Sequence, residues 1–111
     1  MRILFVLISI CFLTACGVTL TAPTQADADR GAKKFPGLTM TELAEGQNLF
    51  KAKCSQCHGL KNPTSRTEEQ WRKVVPKMAG KAERKANKEK IDAVAQEKIL
   101  KYLITTSTAT K

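Results

Sequence analysis

Cys54-Ser55-Gln56-Cys57-His58 decides how this chain is read. Two thiols separated by two residues can each add across one vinyl group of a haem, and the imidazole that follows is then held against the iron as its first axial ligand. Zinc binding fits poorly: His58 is the only histidine, and the other two cysteines, Cys11 and Cys16, lie near the N-terminus, whereas a structural zinc site needs four ligands. A thioredoxin-like dithiol needs surrounding strands, and no run of alternating apolar and polar residues follows Cys16. The pentapeptide therefore predicts one covalent haem c, with Cys54 and Cys57 as thioether links and His58 as the proximal ligand.

The N-terminus predicts where the haem is attached. Met1-Arg2 is a short basic start, Ile3 to Leu13 is an apolar run too short to span a bilayer, and Leu13-Thr14-Ala15-Cys16-Gly17 follows. This arrangement resembles the lipobox of bacterial lipoproteins, which implies cleavage after residue 15, acylation of Cys16 and a membrane-anchored, extracytoplasmic protein facing the periplasm or cell exterior. The alternative is an ordinary secretory signal cut near Ala15. Both export the chain.

Residues 1–15 are thus expected to be a lipoprotein signal peptide. Residues 16–38, rich in Thr, Ala, Asp and Gly and containing Pro23 and the turn signal Phe35-Pro36-Gly37, read as a flexible tether. Residues 39–104 remain as the folded domain and 105–111 as a disordered tail. A core of that size supplies no more than about 3–5 kcal/mol by itself, so a buried haem is expected to complete it.

Three helical patterns fill the domain. The first runs from Met40 or Thr41 to Lys53, carries Leu43, Leu49 and Phe50 on one side, and opens on Thr39 and Glu42 at capping-box spacing. Its Gly46 predicts a close helix crossing. The second starts at Thr67, whose partner Gln70 again has capping-box spacing, and places Trp71, Val74, Val75 and Met78 at i, i+3, i+4 and i+7, with Pro76 expected to kink or end it. Asp92 caps the third, whose apolar face is Ile99, Tyr102 and Leu103, with Val94 and Ala95 one turn earlier.

Ala44-Glu45-Gly46-Gln47-Asn48-Leu49-Phe50, the C-x-x-C-H segment and Ile99-Leu100-Lys101-Tyr102-Leu103 together resemble the first helix, haem site and last helix of small class I cytochromes c. The resemblance spans about residues 42–103 and implies an all-α fold with three main helices around the haem, in which Gly46 and Phe50 cross Ile99, Tyr102 and Leu103. Trp71-Arg72-Lys73-Val74-Val75-Pro76-Lys77-Met78 is similar to a W-x6-M segment that supplies the distal methionine in a subgroup of short members.

The residues argue for the same distal ligand independently. There is no second histidine, and the candidates for the sixth iron position are Met78, Met40, a lysine or no side chain at all. Met78 is a soft thioether on an apolar stripe; filling a core gap is its alternative role. Filling both axial positions with His58 and Met78 suits electron transfer over chemistry at iron. Around the haem, Asn62 or Pro63 is expected to accept the second N–H of His58, Trp71 to meet a propionate or pack in the core, and Arg66 or Arg72 to neutralise propionates.

Lys and Arg number 19 against 10 Asp and Glu, a formal net charge of +9. Arg72, Lys73, Lys77, Lys81, Arg84, Lys85, Lys88 and Lys90 crowd around Met78, with Glu83 and Glu89 between them. Such a run steers an acidic redox partner or is simply a solvated loop; an anionic membrane surface is a secondary candidate, and nucleic acid is not an expected partner of an exported haem protein. No acid, base or nucleophile constellation marks an enzyme. The expectation is an anchored single-electron carrier, against two alternatives: a haem sensor, ligand binder or catalyst with an open sixth position, and the haem subunit of a larger oxidoreductase.

Overall fold

The computed structural model describes residues 20–56 and 59–108, so Cys16, Cys57 and His58 lie outside the described residues. Four helices form: α1 (Gln25–Ala32), α2 (Met40–Leu49), α3 (Glu68–Glu83) and α4 (Ala93–Ser107). The all-α class read from the sequence holds, and no strand occurs among the described residues.

The helix starts follow local chemistry. Thr67 and Gln70 exchange both bonds of a capping box at α3, and Asp92 accepts from the Ala95 amide at α4. At α2 only half of the expected box forms. Thr39 accepts from the Glu42 amide at 3.1 Å, while the Glu42 carboxylate pairs with Lys101 Nζ at 2.7 Å and so joins α2 to α4.

Where α2 meets α4, Gly46 lies so close to the other helix that a Cβ there would collide with the Lys98 carbonyl oxygen and approach Tyr102 Cβ to 2.8 Å. Leu43, Ile99 and Leu103 are fully enclosed at this crossing. Phe50 meets Trp71 edge-on with centroids 6.2 Å apart and Tyr102 at 6.0 Å, so one aromatic cluster joins α2, α3 and α4. Gln47 donates to the Tyr102 hydroxyl at 3.2 Å, providing that buried phenol with a partner.

Several expectations need correction. The segment 16–38 is not a flexible tether throughout: Thr24 and Asp27 form a full capping box, and α1 buries Ala28 and Gly31 while packing on α4. Leu20 also packs on the core, and Gln47 Nε2 donates to the Thr21 carbonyl at 2.8 Å. Residues 105–107 are not part of a tail, since α4 continues to Ser107 with Thr105 and Ser107 buried. Val94 is exposed instead of lying on the apolar face. Pro76 neither ends α3 nor interrupts it. Proline removes the hydrogen bond to the carbonyl four residues earlier, that of Arg72, and both residues lie on the exposed face of α3.

Candidate haem site

The last turn of α2 widens into a π-helical turn, Phe50–Cys54, which carries Cys54 into the interior at 6% exposure. From the other side α3 brings Met78. Trp71, Val75, Ala79 and Ala82 form the fully buried line of α3, and Met78 stands half-buried on its flank, at a cavity wall and not in the packed core. Cys54 and Met78 line the same cavity of about 240 Å³, together with Ala82, Ile91, Gln56 and the lysines 53, 81 and 85. That volume is small for a cofactor pocket; residues 57 and 58, next to Gln56 in the chain, lie outside the described part.

The attachment turn is fastened to the loop before α4. Gln56 Nε2 donates to the Glu89 carbonyl at 2.8 Å, and the Glu89 amide returns a bond to Gln56 Oε1 at 2.7 Å. Lys88 Nζ donates to the Gln56 carbonyl at 2.5 Å. Lys53 pairs with the Glu89 carboxylate at 2.7 Å, and that hydrogen bond holds the Glu89 pKa below the usual carboxylate range. Nothing in the sequence singled out Gln56, because the two middle positions of C-x-x-C-H carry no chemical requirement of their own. Lys90 pairs with Glu83, whereas among the described residues no ion pair engages Lys81 or Lys85.

On the side expected to face His58, Asn62 and Pro63 enter a short 3-10 turn, Pro63–Ser65. The Asn62 carbonyl already accepts from the Ser65 amide and hydroxyl, at 2.9 and 2.6 Å. The Pro63 carbonyl accepts from Trp71 Nε1 at 2.9 Å and keeps a second lone pair. Trp71 is therefore a core residue whose indole N–H is given to Pro63, and the expected propionate contact is not made by this group. Arg72 is likewise engaged, with Nε and Nη2 both on Glu68 Oε1 at 3.0 and 2.9 Å. Arg66 differs. Its guanidinium lies 5.4 Å from the centre of the Trp71 ring, and its Nε is buried without a hydrogen-bond partner among the described residues.

A family model for cytochrome c matches residues 43–109, from within α2 through the end of α4. The chain belongs to the cytochrome c family. No curated protein and no solved structure shows significant similarity to it. Membership brings one covalently attached haem c and a role in electron transfer, as members are in general electron carriers rather than enzymes. The described residues fit that group: a cysteine and a thioether on one cavity, apolar walls from Ala82 and Ile91, and cations to balance carboxylates. Helix α1 precedes the matched region.

Proposed function

We propose that the protein is a lipid-anchored, extracytoplasmic monohaem cytochrome c that passes single electrons between redox proteins. Cys54 and Cys57 form the thioether links, His58 is the proximal ligand, Met78 the distal ligand and Cys16 the lipidated residue. The observation that carries the reading is the placement of Met78: a residue 24 positions from Cys54 in sequence shares its cavity, half-buried on the edge of α3.

Haem c supplies a one-electron couple at iron when bound. The chain's contributions are distinct. Cys54, held by the π turn, fixes the orientation of the attached edge, while Met78 and the apolar walls exclude water from the distal side. Filling that position with a thioether raises the reduction potential and disfavours binding of external ligands. The Pro63 carbonyl, already positioned by Trp71, is the acceptor left for the outer N–H of His58, a bond that sets the tautomer and ring orientation of a metal-bound imidazole. Arg66 is suited to a propionate because its Nε otherwise remains desolvated and unpaired, a costly state for a charged group.

The lysines at the cavity rim favour an acidic partner. Lys81 and Lys85 are exposed, so their charge raises the encounter rate with a negatively charged surface, and the rate falls as salt screens it.

Absorption spectra of the matured protein, oxidised and reduced, with and without carbon monoxide, test the reading. A low-spin spectrum that carbon monoxide leaves unchanged, and that Met78→Ala converts to a carbon monoxide-binding form, is the expected result. A high-spin ferric spectrum in the native protein would instead indicate an open sixth position, and with it a ligand-sensing or catalytic role.

A further inference from the structure

The cavity that Cys54 and Met78 share is walled by stretches of chain that are distant in sequence. Cys54 and Gln56 come from the attachment turn, Met78 and Ala82 from the end of α3, and Lys85 and Ile91 from the two ends of the loop that leads to α4. That loop is wound on itself and on the helix before it. The Lys85 amide bonds the Ala82 carbonyl and the Lys88 amide the Lys85 carbonyl, each at 3.2 Å, and Lys90 Nζ reaches back to the Glu83 carboxylate at 2.7 Å. A shift of the loop is therefore passed to the last turn of α3. Glu83, where that helix ends, stands only about 8 Å of helical rise beyond Met78.

Gln56 holds the loop against the attachment turn. Its side-chain amide pairs with the Glu89 backbone in both directions, Nε2 donating to the carbonyl at 2.8 Å and Oε1 accepting from the amide at 2.7 Å, as two residues of paired strands exchange their bonds. Closing this ring takes a donor and an acceptor on one side chain, which an amide supplies and a leucine or an ionised carboxylate does not. Lys53 also engages Glu89, but through an exposed carboxylate, and salt screens such a pair. The amide ring is uncharged and keeps its hold.

We propose that Gln56 is a positioning residue for the electron-transfer site: by clasping the Glu89 backbone it keeps the end of α3, and with it Met78, seated at the cavity, and so sets how rarely the sixth iron position opens. This role rests on Met78 being the distal ligand. Met78 is half-buried on the flank of α3 and not locked in the packed core, so its place depends on where the end of the helix is held. Gln56 then joins the two sides of the site, since it lies in the turn that carries Cys54 and grips the loop that follows Met78.

Rapid mixing of the reduced holoprotein with carbon monoxide measures that opening, because uptake must wait for Met78 to leave. The native protein, Gln56→Leu, Gln56→Glu and Gly31→Ala are compared, each first shown by mass to carry its haem. Gly31→Ala controls for lost stability, since it loosens α1 and not the clasp. The expected outcome is uptake by Gln56→Leu about tenfold or more faster than by the native protein, the release that two lost amide bonds allow. Gln56→Glu, which keeps an acceptor for the Glu89 amide, should fall between them, and Gly31→Ala should be as slow as the native protein. In a Met78→Ala background, Gln56→Leu should add nothing. If Gln56→Leu yields no holoprotein, Gln56→Glu carries the comparison by itself. Uptake by the Gln56 variants at the native rate, equal acceleration in Gly31→Ala, or further acceleration in the Met78→Ala background overturns the role of Gln56 and leaves Met78 as the ligand. Fast uptake by the native protein overturns the distal ligand, and the role of Gln56 with it.

Discussion

Two glycines seat two helices on α4, and they do so with different tolerance. A Cβ on Gly46 of α2 would meet backbone, the Lys98 carbonyl, whereas a Cβ on Gly31 of α1 would meet side-chain atoms, Leu38 Cδ2 at 2.6 Å and Thr105 Oγ1 at 2.7 Å. Backbone within a packed helix cannot yield without moving the helix. Side chains can turn. The α2–α4 crossing is thus a fixed contact, and the seat of α1, ahead of the residues that the family model matches, is an adaptable one.

The sharpest way to break this distinction is Gly46→Ala. Overpacking costs about 1–3 kcal/mol and occasionally more, and here the upper end or beyond is expected, seen as failure to accumulate folded holoprotein. Gly31→Ala should lie at the lower end, with a thermal midpoint lowered by about 4–8 °C for each kcal/mol lost and an unchanged haem spectrum. Equal losses from the two substitutions would remove the distinction.

Trp71→Phe probes the core side. It removes the indole N–H bond to the Pro63 carbonyl and leaves Arg66 over a weaker ring, at about 0.5–1.5 kcal/mol for one lost hydrogen bond. Denaturant unfolding should show this, together with a shift in reduction potential if Pro63 also serves His58. An unchanged potential with lowered stability would confine Trp71 to packing.

The smallest expected effect is acid loosening of α1. Burial opposes ionisation of Asp27, but its bonds to Arg30 and Thr24 outweigh that and leave its pKa lowered; Glu68 is lowered by hydrogen bonds from Lys34 and Arg72. Both carboxylates therefore stabilise the fold fully above their unfolded pKa, near 4, and progressively less as pH falls through the lower folded values. Amide exchange, corrected for its intrinsic rate, should rise in Gln25–Ala32 below about pH 4 before it rises in α2 or α4. Simultaneous opening of all three would make α1 an integral part of the core.

The same contrast explains what could be read from the sequence. Leu43, Phe50, Ile99, Tyr102 and Leu103 advertise α2 and α4 because large apolar residues recur at helical spacing, and Gly46 announced their crossing. Helix α1 buries only Ala28 and Gly31, residues too small to register as an apolar stripe. The one signal it carried was Thr24-x-x-Asp27, a capping box that passed unnoticed among turn-forming residues. Pro76 sits inside α3 although an interior proline is disfavoured; it and Arg72 both lie on the exposed face of the helix. At the candidate haem site, C-x-x-C-H stands out by its chemistry and Met78 by its apolar stripe and the W-x6-M resemblance, and the structure brings Cys54 and Met78 onto one cavity. The destinations of the Trp71 N–H and the Arg72 guanidinium were not legible, since Pro63 and Glu68 are ordinary residues until the fold brings them near.

The burial of Cys54 bears on the order of maturation. If Cys54 takes a thioether, as proposed, a thiol at 6% exposure in a turn that Gln56 ties to Glu89 is more accessible to a haem vinyl group while residues 50–56 are still open, so attachment is expected before the Gln56–Glu89 clasp closes.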